Sequence, residues 1–173
     1  MGQLLSAAVL VSFVAGALAF NVVENQPDFT SETISIGIVT HDFDASLAFY
    51  TDVIGMQKTG GFSVNKDFSD NSGLSNGDPF EVAVLKLADS PDATEWKIVG
   101  FDKSPKTKPS KHIQDRIGIQ YVTIFVESVD PYIQKFNSMN IELLNQPGLT
   151  IPDGRRFLLI QDPNGIFVEL IGR

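Results

Sequence analysis

The stretch 34–54, ISIGIVTHDFDASLAFYTDVI, recurs in altered form at 120–140 as QYVTIFVESVDPYIQKFNSMN. When Ser35 is placed over Tyr121, an offset of 86 residues, apolar and acidic positions coincide along both segments. Each segment begins with β-branched residues, which favour a strand, and continues with apolar residues at helical spacing. The recurrence predicts an internal duplication in which each half begins with a strand followed by a helix.

Residues suited to helix ends bound the two predicted helices. Asp42 or Asp44 can cap the first helix, and Gly55 can end it, because glycine tolerates the left-handed backbone found there. Asn140 is placed to end the second helix in the same way.

Strand-like segments follow each predicted helix. They are 81–88 and 94–101 in the first half, and 155–162 and 165–172 in the second half. Each half therefore has the predicted order β-α-β-β-β. The polar stretch 63–79, rich in Ser, Asn, Asp and Gly, is predicted to be a long loop that either covers a pocket or decorates the surface. The Lys- and Pro-containing stretch 102–111 is interpreted as a solvated linker rather than a basic binding patch.

Composition excludes several classes of function. The 173 residues carry a net charge of −8, which disfavours binding to nucleic acid or to anionic membranes. The absence of Cys rules out disulfides, thiolate metal sites and a Cys nucleophile. The 13 Phe residues are a large aromatic supply for a core or an apolar pocket.

The N-terminal residues are typical of an export signal. The uncharged run LLSAAVLVSFVAGALAF ends in Ala17-Leu18-Ala19, which fits a signal peptidase site before Phe20, although no Lys or Arg precedes the run. The alternatives are an uncleaved anchor or a buried helix. The expected mature protein is secreted or periplasmic and keeps no stable membrane span after cleavage.

Two motifs carry a family resemblance. The segments SLAFYTDVIGM (46–56) and DPNGIFVEL (162–170) resemble the vicinal oxygen chelate superfamily, which includes glyoxalase I, bleomycin- and fosfomycin-resistance proteins and extradiol dioxygenases. The resemblance implies an α+β fold in which two βαβββ modules form a cupped mixed sheet with helices on the outer face. It leaves open whether the modules pair within one chain or across a homodimer.

The resemblance also implies where a metal would be bound. Relatives take one ligand from the first strand and one from the last strand of each module, positions that correspond here to Ser35, Lys97, Tyr121 and Glu169. Among these only Glu169 is a carboxylate, and a Lys ammonium group repels a cation. We therefore expect no cofactor, with a divalent Zn, Ni, Mn or Fe ion on Glu169 as the alternative.

Two functional readings follow from these residues. The first is a binding module whose small-molecule ligand contacts a set of residues facing the cup, namely Ser35, Lys97, Tyr121, Thr123, Phe125, Phe167 and Glu169. Strand alternation also places Gly37, Val39 and Ile171 on this face. The second is a lyase or isomerase of the glyoxalase class, in which Glu169 is a metal ligand or general base and Tyr121 donates a hydrogen bond to an enolate. A purely structural role also remains open.

The sharpest expectation concerns two of these residues. Lys97 is predicted to replace the charge of the metal and to pair with Glu169 within about 4 Å, because an unpaired buried carboxylate is costly. The predicted organisation of the chain is a signal peptide (1–19), an N-terminal extension (20–33), a first module (34–101), a linker (102–117) and a second module (118–173).

Overall fold

The computed structural model of the chain describes residues 29–31, 33–106, 108–146 and 148–173. The predicted signal peptide and most of the predicted extension lie outside these residues. All described helices and strands belong to one unit, Ser31–Arg173. No helix among the described residues combines the length and the apolar character that crossing a membrane requires.

Two modules follow one another along the chain, as the repeat predicts. Their elements are β1 (Ser35–Thr40), α1 (Phe43–Ala48), β2 (Gln57–Val64), α2 (Lys66–Ser72), β3 (Phe80–Lys86), β4 (Glu95–Phe101), β5 (Tyr121–Phe125), α3 (Asp130–Met139), β6 (Arg156–Gln161) and β7 (Phe167–Gly172). A π-helical segment (Phe49–Ile54) continues α1, and a short 3-10 helix (Ile113–Asp115) lies between the modules. The first sheet has the order β1-β4-β3-β2 and the second β5-β7-β6. In each sheet the first strand pairs in parallel with the last, and the other pairs are antiparallel. The α+β prediction is confirmed.

The predicted helix ends are confirmed as well. Asp42 Oδ1 accepts a hydrogen bond from Ala45 N (3.0 Å) at the start of α1. Gly55 (φ 96°) ends the π-helical segment, and Asn140 (φ 54°) ends α3. Both residues use the left-handed backbone region that glycine and asparagine tolerate best.

The second module departs from the expected strand count. Where the first module has β2, the second has a single bridge between Thr150 and Arg156. The side chain of Asn145 replaces part of the missing strand: its Nδ2 donates to Phe157 O (2.9 Å), and its Oδ1 accepts from Leu159 N (2.7 Å). A side-chain amide thus bonds to the β6 backbone as a neighbouring strand would.

The prediction of an uninterrupted loop at 63–79 is wrong. Its centre is α2, whose first turn is capped by Asn65 Oδ1 accepting from Phe68 N (2.9 Å). Ser69 is fully buried and its hydroxyl donates to Asp78 O (2.8 Å), which ties the helix to the start of β3. Polar composition suggested a loop, but the same Ser, Asn and Asp residues here cap and anchor a helix.

Both modules contribute to one hydrophobic core. It contains Tyr50, Trp96 and Ile98 from the first module together with side chains such as Phe136 and Leu170 from the second. The modules therefore pack against each other within a single chain.

A buried polar cluster also joins the modules at the turn 162–165. The Tyr50 hydroxyl donates to Asp162 Oδ2 (3.0 Å), His41 N donates to Asn164 Oδ1 (3.2 Å), and Asn164 Nδ2 donates to Ser46 Oγ (3.0 Å). Burial raises the pKa of the Asp162 carboxyl, although hydrogen bonds from Ile166 N, Asn164 and Tyr50 counteract this. Burial and the adjacent carboxylate also raise the pKa of the Tyr50 phenol well above its ordinary value.

Candidate functional site

Alternation along the strands separates a core face from an open face in each sheet. In β4, Trp96 and Ile98 are buried, whereas Lys97 and Val99 are only partly covered. In β7, Leu170 is buried in the core and its neighbour Glu169 is partly covered. In these parts of β4 and β7, alternate residues therefore differ in burial, as the alternation of side chains along a strand requires.

The open face of the first sheet forms an apolar pocket of about 440 Å³, called here the first-module pocket. Its lining comes from all four strands of the sheet and from α2 with the loop that follows it. These residues are Gly37, Val39, Phe62, Val64, Phe68, Leu74, Phe80, Val82, Lys97, Val99 and Phe101. No described residue of the second module lines it.

The segment 63–79, which contains α2, forms one wall of this pocket. Phe68 on α2 and Leu74 just after it are 58% and 71% exposed, although both contribute to the lining. Buried Ser69 holds α2 in place, and Ser75 adds a second hydroxyl that donates to Asp78 O (2.7 Å). The segment 63–79 therefore covers a pocket, which is one of the two roles that the sequence left open for it.

A polar cluster adjoins the pocket at the start of β4. Ser35 Oγ donates to Glu95 Oε2 (2.6 Å), and Lys97 Nζ lies 3.3 Å from the same oxygen. Lys86 Nζ lies 4.0 Å from Glu95 Oε1. The hydrogen bond from Ser35 lowers the pKa of the Glu95 carboxyl, to which the two ammonium groups also contribute. Two cations thus share one carboxylate, which leaves a net positive charge.

The predicted pairing of Lys97 with Glu169 is wrong. Lys97 pairs with Glu95, two residues earlier on the same face of the same strand. Glu169 instead accepts a hydrogen bond from Thr123 Oγ1 (2.5 Å), its register partner on β5. Each carboxylate is therefore bonded within its own sheet.

The remaining predicted site residues lie on the open face of the second sheet. Tyr121 and Phe125 are half or more exposed, and the guanidinium of Arg155 lies 5.3 Å from the centre of the Phe125 ring. Phe167 is almost fully buried. None of these residues lines the first-module pocket.

The linker contacts the second module near the β6–β7 turn. Gln161 Nε2, on the register partner of Phe167, donates to Ser110 O (2.8 Å). A Cβ at Gly165 would lie 3.1 Å from Pro109 Cα, so the linker backbone runs close to the β6–β7 turn. The described residues of the stretch 102–111 are mostly exposed, as expected of a solvated linker, and Pro109 is among the exposed ones. The exception is Ser110, which is buried against the second module.

Comparison with known proteins fits this arrangement of two modules. The model of the Glyoxalase/Bleomycin resistance protein/Dioxygenase superfamily matches residues 33–170. The chain belongs to this superfamily. An uncharacterized protein, YwbC, from Bacillus subtilis (strain 168) is 24% identical over 137 residues, which cover 79% of this chain and 94% of that protein.

Solved structures of the superfamily share the fold. A glyoxalase family protein from Bacillus cereus superposes with a TM-score of 0.66 at 18% identity, over 86% of this chain and 97% of that one. A glyoxalase I mutant from Zea mays gives a TM-score of 0.60 at 18% identity, over 82% of this chain and 45% of the maize chain. At these identities the likeness shows the fold and no more.

The metal-binding pattern of the superfamily does not fit the residues of this chain. Of the four corresponding positions, Ser35 bonds to Glu95, Lys97 carries a positive charge, and Tyr121 offers a phenol. Within the described part of the chain, no three His, Cys, Asp or Glu side chains converge as a metal site requires. Glu169 on its own does not make such a site.

Sequence reasoning placed three of the pocket residues, Gly37, Val39 and Lys97, in the cup and missed most of the others. Among the seven predicted binding residues, only Lys97 lines the pocket. Ser35 does not line it but donates a hydrogen bond to Glu95, the ion-pair partner of Lys97. The missed residues include Phe68 and Leu74, and a signal for them was present: they are isolated large apolar residues in an otherwise polar stretch.

Proposed function

We propose that this superfamily member is a binding module whose first-module pocket takes one small, mainly apolar molecule without a metal ion. The observation that carries the proposal is the pocket itself: about 440 Å³ lined by Val, Leu and Phe side chains with one charged group. Small-molecule sites have volumes of about 300–1,000 Å³ and this kind of lining.

Two side chains of the pocket wall have exposed apolar surface that a bound ligand would bury. Phe68 and Leu74 are more than half exposed while they face the pocket. Full burial of a Phe or Leu side chain is worth about 1.5–3 kcal/mol, so covering even part of both side chains favours an apolar occupant. The hydrogen bonds of Ser69 and Ser75 hold the wall in place before a ligand arrives, which lowers the ordering cost of binding.

Lyase or isomerase chemistry at Glu169 has less support. Neither Glu169 nor Tyr121 lines the first-module pocket, so a molecule bound there would not reach them as a base and an oxyanion donor. The donor set around Glu169 also lacks the further ligands that a metal-assisted reaction needs.

Export is part of the same proposal. Its support is the uncharged run that ends at Ala17-Leu18-Ala19. The binding module would then act in the periplasm or outside the cell.

The pocket can be tested with N-phenyl-1-naphthylamine, a neutral fluorophore that becomes brighter in apolar surroundings. A Cβ at Gly37 would lie 3.8 Å from Val99 Cγ2, so a side chain at this position enters the pocket without an immediate clash. We expect saturable binding of one fluorophore per chain, little change with Gly37→Ala, and about tenfold or greater loss with Gly37→Leu. Equal binding by the wild type and Gly37→Leu, or no saturable binding at all, would overturn the proposal.

A further inference from the structure

Among the described residues, Lys97 is the only one that brings a charged side chain to the lining of the first-module pocket. An ammonium group has three hydrogen-bond donors, and Glu95 Oε2 at 3.3 Å can take one of them. Among the described residues, no other acceptor lies within hydrogen-bonding distance of Lys97 Nζ. Donors therefore remain for a ligand.

The charges around Lys97 favour an anion. The polar cluster contains two ammonium groups, Lys86 and Lys97, and one carboxylate, Glu95, so its net charge is positive in a chain whose net charge is −8. Glu95 is already committed to the hydrogen bond from Ser35. A ligand with one negative charge would complete the charge balance of this cluster.

The opposite end of the pocket has a different character. Beyond Phe101, the adjoining surface cleft is lined by two acids, Asp78 and Asp102, together with Lys103. An acid group of a ligand would be better placed at Lys97 than at this end, and the Phe and Val side chains between them suit an apolar body.

We propose that the ligand of the first-module pocket is an apolar monocarboxylate, aryl or alkyl, whose acid group is bound by Lys97 and whose body lies between the sheet and Phe68. The inference rests on the proposed binding function and adds the chemical class of the ligand. A neutral ligand would cover Lys97 without supplying a negative charge to balance it, and a cation would be repelled by it.

Displacement of N-phenyl-1-naphthylamine tests the ligand class with matched pairs of compounds. The pairs are 4-phenylbutanoate with 4-phenylbutanamide, and octanoate with octanamide, which separate the aryl from the alkyl class. We expect the better acid to compete about tenfold more strongly than its amide, as a partly exposed charge-assisted contact allows.

Substitutions in the polar cluster assign the preference to Lys97. Lys97→Met should bring acid and amide to within about twofold of each other, mainly because acid binding weakens. Glu95→Gln removes the carboxylate that competes for Lys97 and should strengthen acid binding. Lys58→Met is the matched control, because Lys58 is an exposed lysine on β2 that lines no part of the pocket, and its acid preference should remain that of the wild type.

The outcomes separate this inference from the proposed function. If the fluorophore binds but acids and amides compete equally, or neither competes, the pocket stands and the ligand class is wrong. If Lys97→Met keeps the acid preference, the assignment to Lys97 is wrong. If the fluorophore does not bind to the wild type, the proposed function fails and this inference fails with it.

Discussion

Replacing Tyr50 with Phe tests the buried polar cluster that joins the modules. The substitution removes only the hydroxyl that donates to Asp162 Oδ2 at 3.0 Å, and both residues are buried, with exposures of 0% and 5%. A hydrogen bond to a charged group contributes about 1.5–3 kcal/mol to stability, so we expect Tyr50→Phe to lower the free energy of unfolding by that amount near neutral pH.

The loss should depend on pH in a defined direction. Burial raises the folded-state pKa of Asp162, so the folded chain binds more protons than the unfolded chain above the ordinary Asp pKa of about 3.9, and stability falls as pH rises through that window. The bond from Tyr50 opposes this effect because it stabilises the charged carboxylate. Its removal raises the folded-state pKa further. The loss on Tyr50→Phe should therefore grow from about 1 kcal/mol in acid, where the carboxyl is neutral, to the larger value near neutral pH.

Urea unfolding at about pH 4 and about pH 7.5 measures this difference. Trp96, the only Trp of the chain, is buried with its ring centre 5.5 Å from that of Tyr50, so its fluorescence reports directly on this region. The matched control is Tyr132→Phe on α3, since no described residue hydrogen-bonds to that hydroxyl, and we expect a change within about 0.5 kcal/mol. Equal effects of the two substitutions, or a Tyr50→Phe effect that is the same at both pH values, would refute the reasoning.

Three further outcomes are expected. Gly172→Ala should destabilise the fold by about 1–3 kcal/mol in the same urea assay, because its Cβ would clash with Val126 O, whereas Gly60→Ala, with open space around it, should not; similar values for both would contradict this. Elemental analysis of the purified protein should find less than one equivalent of transition metal, and a full equivalent that disappears with Glu169→Gln would show the opposite. Intact-mass measurement of secreted material should show the loss of residues 1–19, and a full-length mass would disprove the predicted cleavage.

Local patterns were sufficient to predict the fold class because they act over short distances. The spacing of the apolar residues predicted the two modules and most of their elements. Gly55 and Asn140 predicted where two of the helices end. The missing strand of the second module could not be predicted in this way. There the amide of Asn145 bonds to β6, which is a contact between segments that sequence period does not encode.

The candidate site was harder to predict because it depends on contacts between strands and segments. Alignment of the two halves identified Lys97 but not its partner, which is decided by how closely Glu95 approaches it on the same face of β4. The wall of the pocket was hidden in a stretch whose composition suggests a loop. The linker is hydrogen-bonded to Gln161, the register partner of Phe167, and this contact follows from tertiary packing alone.

The way Asn145 and its neighbours bond to β6 bears on solubility. β6 is the outer strand of the second sheet, and such a strand can recruit a strand from another molecule. Here the outward backbone groups of Phe157 and Leu159 are occupied: Phe157 N donates to Leu149 O (2.9 Å), Leu144 N donates to Leu159 O (2.8 Å), and the Asn145 amide bonds to Phe157 O and Leu159 N. The segment therefore blocks intermolecular strand addition at this edge. A chain that lost the Asn145 amide would regain part of an open edge, and its first defect would be aggregation at high concentration rather than weaker ligand binding.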